Sequence, residues 1–206
     1  AKCPWVVELP EQVPGFERRQ DVAFLGGYGH PPNIEAVEFF VDEVMPLLRK
    51  RLPGVRFLIY GSNVPEAMEA LESKDVIIRG YVEDVAEVYD SCRIFIAPLK
   101  SGAGLKGKVA GALAHGAPSV LSQIAAEGLG ITDGREACIA NTPEEWAATI
   151  VDIYNDPLRW SAMSEAARGF SARQFSFETG RQLMREALEQ IEFFAPTTHA
   201  VLYPLK

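Results

Sequence analysis

The sequence predicts an α/β fold: a doubly wound parallel sheet of about six strands, helices on both faces, and a helical C-terminal extension. Three observations carry this. Short apolar runs alternate with segments of helical periodicity. Glycines close most of those runs, as strand-to-helix turns require. Beyond Asn141 the strand pattern stops and only helical patterning remains.

Taken in order, residues 1–20 carry Pro4, Pro10 and Pro14 without a sustained period and read as a linker, the end of an interdomain segment. Asp21-Val-Ala-Phe-Leu-Gly-Gly27 reads as a buried strand. A helix opens at Pro32 with Ile34, Val37, Val41, Val44 and Leu48 on one apolar face, bent or shortened by Pro46 and ending near Arg51. Val55 to Ser62 is the second strand, ended by Gly61, and Pro65 starts a helix. Val76 to Gly80 follows, then a helix whose face is Val85, Val88 and Tyr89, then the strand Arg93 to Pro98. A glycine-rich loop leads to a helix from Lys108 to Ala114, and Ser119 to Ser122 and Ala137 to Ala140 complete the strands. Thr142-Pro-Glu-Glu is a capping signature, and helices run to about Asp156, from Leu158 to Phe170, and from Phe177 to about Phe193. Trp146, Trp160, Phe170, Phe175 and Phe177 read as packing residues of this tail. Right-handed crossovers make the whole a Rossmann-like domain over residues 21–194, with 195–206 a tail carrying Pro196 and Pro204.

At 206 residues and 48% hydrophobic content the chain can bury one proper core but is short for two full domains. Its formal charge of -8 opposes nucleic-acid and anionic-membrane surfaces, which need a broad basic face. Cys3, Cys92 and Cys138 lack metal-ligand spacing and fit a reduced, cytoplasmic compartment, peripheral to the inner membrane only through a domain outside this chain. There is neither a bilayer-length apolar run nor a signal-peptide layout. The missing initiator Met and the Pro-rich start imply a piece of a longer protein.

Chemistry concentrates in Pro98-Leu-Lys-Ser-Gly-Ala-Gly-Leu-Lys-Gly-Lys108. Gly102, Gly104 and Gly107 admit an anion close to the backbone, the next helix aims its positive dipole end there, and Lys106 and Lys108 add full charges. Against this stands the bland reading of two solvated loop lysines, which the strand–loop–helix context disfavours. Gly26-Gly-Tyr-Gly29 is not the dinucleotide fingerprint, so NAD is not expected. His30, His115 and His199 have neither hydrolase nor metal spacing, and His115 suits a helix C-terminus structurally.

The blocks Phe24-Leu-Gly-Gly, Pro32-Asn-Ile-Glu-Ala-Val, Leu58-Ile-Tyr-Gly, Gly80-Tyr-Val-Glu-Asp-Val, Tyr89-Asp-Ser-Cys-Arg-Ile-Phe-Ile-Ala-Pro-Leu and Gly102-Ala-Gly-Leu-Lys-Gly-Lys resemble the C-terminal domain of group-one retaining glycosyltransferases of the GT-B architecture. The resemblance spans roughly residues 20 to 190. It implies a hexosyltransferase-type enzyme whose donor, a UDP- or GDP-sugar, binds here, while a glycan acceptor, lipid-linked or protein-linked, binds mainly to an N-terminal domain absent from this chain. The expected setting is polysaccharide or glycoconjugate biosynthesis. By the same resemblance Gly26, Gly27 and Tyr28 face the phosphates with Gly61 nearby, Lys106 or Lys108 neutralises the diphosphate, Tyr81 and Val82 lie near the base, and Ala103, Gly104 and Leu105 hold the sugar and phosphate end. Stabilising the leaving group this way requires no metal or other cofactor.

One departure stands out. The family usually carries two glutamates, and here those positions read Ala103 and Gly111, the second being where a carboxylate would meet the ribose hydroxyls. Gly111 costs about 0.5–1 kcal/mol of helix propensity and forfeits charge-assisted hydrogen bonds worth about 1.5–3 kcal/mol. A second reading is therefore a degenerate binding or scaffold module, which Gly111→Glu would probe. A nucleotide-sugar epimerase is a third, less favoured because the rim shows no convincing acid–base set. With half its cleft elsewhere, the chain alone is expected to be inactive.

Overall fold

The computed structural model describes residues 5–190, so Cys3, His199, the 195–206 tail and the final turn expected up to Phe193 lie outside the described residues. Six strands form one parallel sheet: β1 (Gln20–Leu25), β2 (Phe57–Tyr60), β3 (Val76–Gly80), β4 (Cys92–Ala97), β5 (Ser119–Leu121) and β6 (Cys138–Ile139), in the order β3-β2-β1-β4-β5-β6. Val22 registers with Phe57 on one side and Ile94 on the other, and Val120 with Cys138. Both strand faces are apolar because both are covered. Val22, Ala23 and Phe24 are buried on successive, opposite sides of β1, and Ile94, Phe95 and Ile96 do the same in β4.

The helices are α1 (Pro31–Phe39), α2 (Met45–Arg51), α3 (Glu66–Glu69), α4 (Ala86–Ser91), α5 (Gly107–Ala114), α6 (Gln123–Ala126), α7 (Pro143–Asn155), α8 (Pro157–Gln174) and α9 (Phe177–Gln190). α7 packs against α2, α8 packs against α5, and Tyr89 of α4 lies against Gly111 of α5, the two-layer cover that right-handed crossovers give a parallel sheet. Phe40 joins the first layer to the sheet, its ring 4.6 Å from that of Phe57 and 6.2 Å from that of Trp146.

Several expectations are corrected. The long first helix is interrupted by a π-helical stretch, Phe40–Val44, just before Pro46. Proline has no N–H to donate, and the wider turn absorbs the break while adding a residue to the register. The buried stripe consequently becomes Asn33, Ala36, Val37, Phe40, Val44, Met45 and Leu48, and Ile34 and Val41 fall to its margin. The helix after Pro65 lasts one turn, and a short α6, capped by Ser122 Oγ accepting from Ala125 N, was not foreseen. Val85 and Phe177 are 46% and 62% exposed instead of packed, one preceding α4 and the other opening α9.

The expected linker is held against the domain from residue 5 onward. Val7 N donates to Phe175 O (2.9 Å), Arg168 donates to the carbonyls of Pro10 and Glu11, and Phe16 meets Trp160 edge-on. Arg19 ends the segment as a fully buried cation, donating to the carbonyls of Pro14, Tyr89 and His115 and lying 3.6 Å from Asp90. A guanidinium with five fixed donors suits such a cluster of carbonyls. Extended backbone that carries proline punctuation but finds these partners is structure, not spacer.

Candidate functional site

Strand order reverses between β1 and β4, so the connections leaving their carboxyl ends diverge to opposite faces and open a crevice there. The turns after β1, β2 and β3 share that rim. They are stitched together: Gly26 N donates to Tyr60 O (3.0 Å), Tyr28 N to Ser62 O (2.8 Å) and Gly61 N to Gly80 O (2.7 Å). Gly61 is required by this closeness, since its φ is +138° and a Cβ there would stand 1.6 Å from Gly26 O.

A hollow of about 260 Å³ lies between these turns and α5, and six expected site residues line it: Gly26, Gly27, Gly61, Tyr81, Val82 and Lys108. Its cation is Lys108. The ammonium donates to Asn33 Oδ1 (2.6 Å) and sits 4.3 Å over the Phe24 ring. Burial, with Lys106 adding like-charge repulsion, pulls the amine down from its ordinary value to about 7.

Other expected residues are placed differently. Lys106 folds back on its own loop, donating to Gly104 O at 2.5 Å with Gly102 O at 3.4 Å, so its charge is spent on carbonyls rather than aimed into the hollow. Ala103 and Gly104 are exposed and Leu105 half-buried, on the same loop and outside the hollow's lining. The Tyr28 side chain is buried under the rim and donates to Tyr60 O (3.0 Å). Because the Gly26 and Tyr28 N–H groups are already paired across the rim, that turn contributes to the hollow's wall more through its closeness than through donors.

Gly111 lines a neighbouring hollow of about 480 Å³ that shares Val85 with the first and is walled by Trp5, Asp84, Tyr89 and His115. A Cβ at residue 111 would meet Tyr89 Oη and Cε2 at 2.9 Å, and one at Gly107 would meet the Trp5 indole at 2.5 Å. The ring of Tyr89 thus occupies the space where any residue-111 side chain would begin. His115 behaves as its helix-end position suggests, its Nδ1 2.9 Å from Asp90 Oδ1, and His30 is the exposed N-cap position of α1. A larger hollow of about 580 Å³ opens at the amino end of β1 beside the Asp21–Arg56 ion pair, away from the rim where such sheets bind ligands.

Sequence reasoning missed Asn33, a buried amide that touches both the β1 turn and Lys108. The available signal was a polar residue in register with the apolar stripe of α1, four positions before Val37.

Residues 19–156 match the family described as glycosyl transferases, group 1. The chain belongs to this family. Among similar proteins, an uncharacterised 44.6 kDa protein in the cps region of Klebsiella pneumoniae is 28% identical over 169 residues, 77% of this chain and 43% of that protein. The fold is shared with a mutant TarM from S. aureus solved with fondaparinux, alpha-GlcNAc-glycerol and UDP (TM-score 0.74, 15% identity, 91% of this chain, 38% of that one). It is shared also with Anabaena HepE solved with UDP and glucose (TM-score 0.70, 15% identity, 85% and 49%). This group 1 glycosyltransferase domain therefore spans less than half the length of each of these relatives. Among the described residues no helix is long and apolar enough to cross a membrane.

Proposed function

We propose that this domain holds the nucleotide-sugar donor, a UDP- or GDP-sugar, of a retaining glycosyltransferase acting in polysaccharide or glycoconjugate biosynthesis. The observation that carries the reading is a lysine, its ammonium held by Asn33, lining a glycine-walled hollow at the carboxyl edge of the sheet, beside the N-terminus of α5. Family membership and the UDP present in the TarM and HepE structures support it.

In this reading Lys108 faces the diphosphate. As the bond between the anomeric carbon and the phosphate oxygen breaks, the electron pair stays with the nucleoside diphosphate and negative charge grows there. A fixed cation and a helix N-terminus stabilise that charge more in the transition state than in the bound donor, which lowers the barrier. In the same reading Tyr81, 73% exposed at the lip, offers a face to the base, and the loop of Ala103, Gly104 and Leu105, outside the hollow's lining, is assigned to the sugar. The acceptor glycan and its oxygen nucleophile come from the other half of the cleft, on an N-terminal domain.

Calorimetry with UDP and GDP tests the assignment. Lys108→Met is expected to weaken the bound nucleotide by about 10–100-fold, as loss of a charge-assisted bond does, whereas Lys106→Ala has the smaller effect. Equal affinity for wild type and Lys108→Met removes the site. The packing of Tyr89 over Gly111 favours a second reading, a module that keeps the fold without turnover, because a side chain at residue 111 would first have to displace the Tyr89 ring. Appreciable sugar transfer by the full-length protein ends that reading.

A further inference from the structure

The buried amide of Asn33 faces two partners at once. Its Nδ2 donates to Gly27 O (2.8 Å) and its Oδ1 accepts from Lys108 Nζ (2.6 Å), which satisfies both ends of the group inside the fold. Gly26 accommodates it, since a Cβ there would stand 2.9 Å from Asn33 Cγ. From β1 the Phe24 ring closes the other side of the ammonium, and the charged group acting on it is Lys106 from its own loop. No other hydrogen bond of the Lys108 ammonium occurs among the described residues.

We propose that Asn33 is the positioning residue of the anion site: it clamps the Lys108 ammonium with one end of its amide and the β1 turn with the other, so that cation and rim keep one geometry. This rests on the donor-binding reading above. Asn33 is not a catalytic residue, because it reaches the ligand only through Lys108 and Gly27. A lysine has four rotatable bonds, and without an anchor its charge would swing into water, where it is easier to hold but useless for the hollow. The clamp keeps a charge in a place that disfavours it.

Two substitutions separate positioning from mere stability. In Asn33→Ala the anchor is gone. In Asn33→Asp the acceptor toward Lys108 is kept and now charged, while the donor toward Gly27 is lost. The Lys108 Cε resonance of the ligand-free chain, assigned by its disappearance in Lys108→Met, reads the amine directly through a pH titration. The wild-type midpoint is expected near 7, and it is expected to rise by about one unit or more in both variants, through re-exposure in one and an opposite charge in the other. UDP-glucose and GDP-mannose affinity at neutral pH is expected to fall about tenfold in Asn33→Ala although more of its Lys108 is charged, the reverse of a purely electrostatic outcome. An unmoved midpoint in both variants, with thermal unfolding showing them folded, overturns the proposal. Tighter donor binding by Asn33→Ala also overturns it. Moved midpoints with no nucleotide-sugar bound by the wild type leave the clamp standing and bring down the donor reading alone.

Discussion

At the scale of single residues, Lys108 is held where its charge is least comfortable. Its amine titrates near 7 in the folded protein against 10.5 for an ordinary lysine. The folded state therefore binds fewer protons than the unfolded chain between these values, and stability rises with pH across that window. Below pH 7 both states are protonated and the cost of burying the ammonium is present in full. Lys108→Met is expected to melt about 2–4 °C above wild type at pH 6, a gain on the order of 1 kcal/mol, and the gap is expected to close as pH rises from 7 toward 10. Scanning calorimetry at a series of pH values checks this, and a gap that widens with pH would contradict it. Lys106 and Lys108 could not be told apart in the sequence, because two lysines separated by one residue share every local signal. They are separated by tertiary context: Lys106 is satisfied by the carbonyls its own glycines turn outward, and Lys108 faces Asn33 and Phe24.

At the scale of elements, α5 shows what helical patterning can and cannot disclose. Its position, N-terminus and apolar content followed from the sequence, but the reason for Gly107 and Gly111 lay in residues far along the chain. Trp5 and Tyr89 press against the face that these glycines, four residues apart, present. In propensity alone Gly111→Ala would stabilise a helix by about 1 kcal/mol. The added Cβ would, however, meet the Tyr89 ring at 2.9 Å, and that ring is itself fixed between Phe95 and His115 at 5.4 and 5.3 Å. Gly111→Ala is accordingly expected to destabilise by about 1–2 kcal/mol net and Gly111→Glu by more, with much of the loss recovered when Tyr89→Leu is combined with Gly111→Ala. Urea denaturation of the four proteins measures the cycle; additive effects would show that the ring is not the obstacle. The π-helical stretch before Pro46 was likewise only half legible. Proline announces a break in the ladder, while the choice between a kink and a wider turn depends on keeping Phe40 and Met45 in the core.

For the whole molecule, the parallel order of the sheet was legible because alternating buried strands and helices admit few topologies once crossovers are right-handed. The docking of residues 5–19 was not. Their prolines and lack of period conceal contacts made with α8 and its end more than 150 positions later in the chain, such as Arg168 with Pro10. The rim has the opposite character: Tyr81 and Val85 are large apolar groups left 73% and 46% exposed beside the hollow. In the donor-binding reading, a surface of this kind next to the hollow is one wall of a cleft. Binding and transfer should then part company. In the donor-binding reading the phosphates need only the β1 turn, α5 and Lys108, all present here, whereas a retaining transfer also needs the acceptor oxygen brought to the face of the sugar that the diphosphate leaves, by groups outside these elements. The 206-residue chain is expected to bind UDP or GDP while transferring no radiolabelled sugar to a glycan acceptor, and the full-length protein is expected to do both. Transfer by this chain alone would place the acceptor site within it and would refute the division of labour across the cleft.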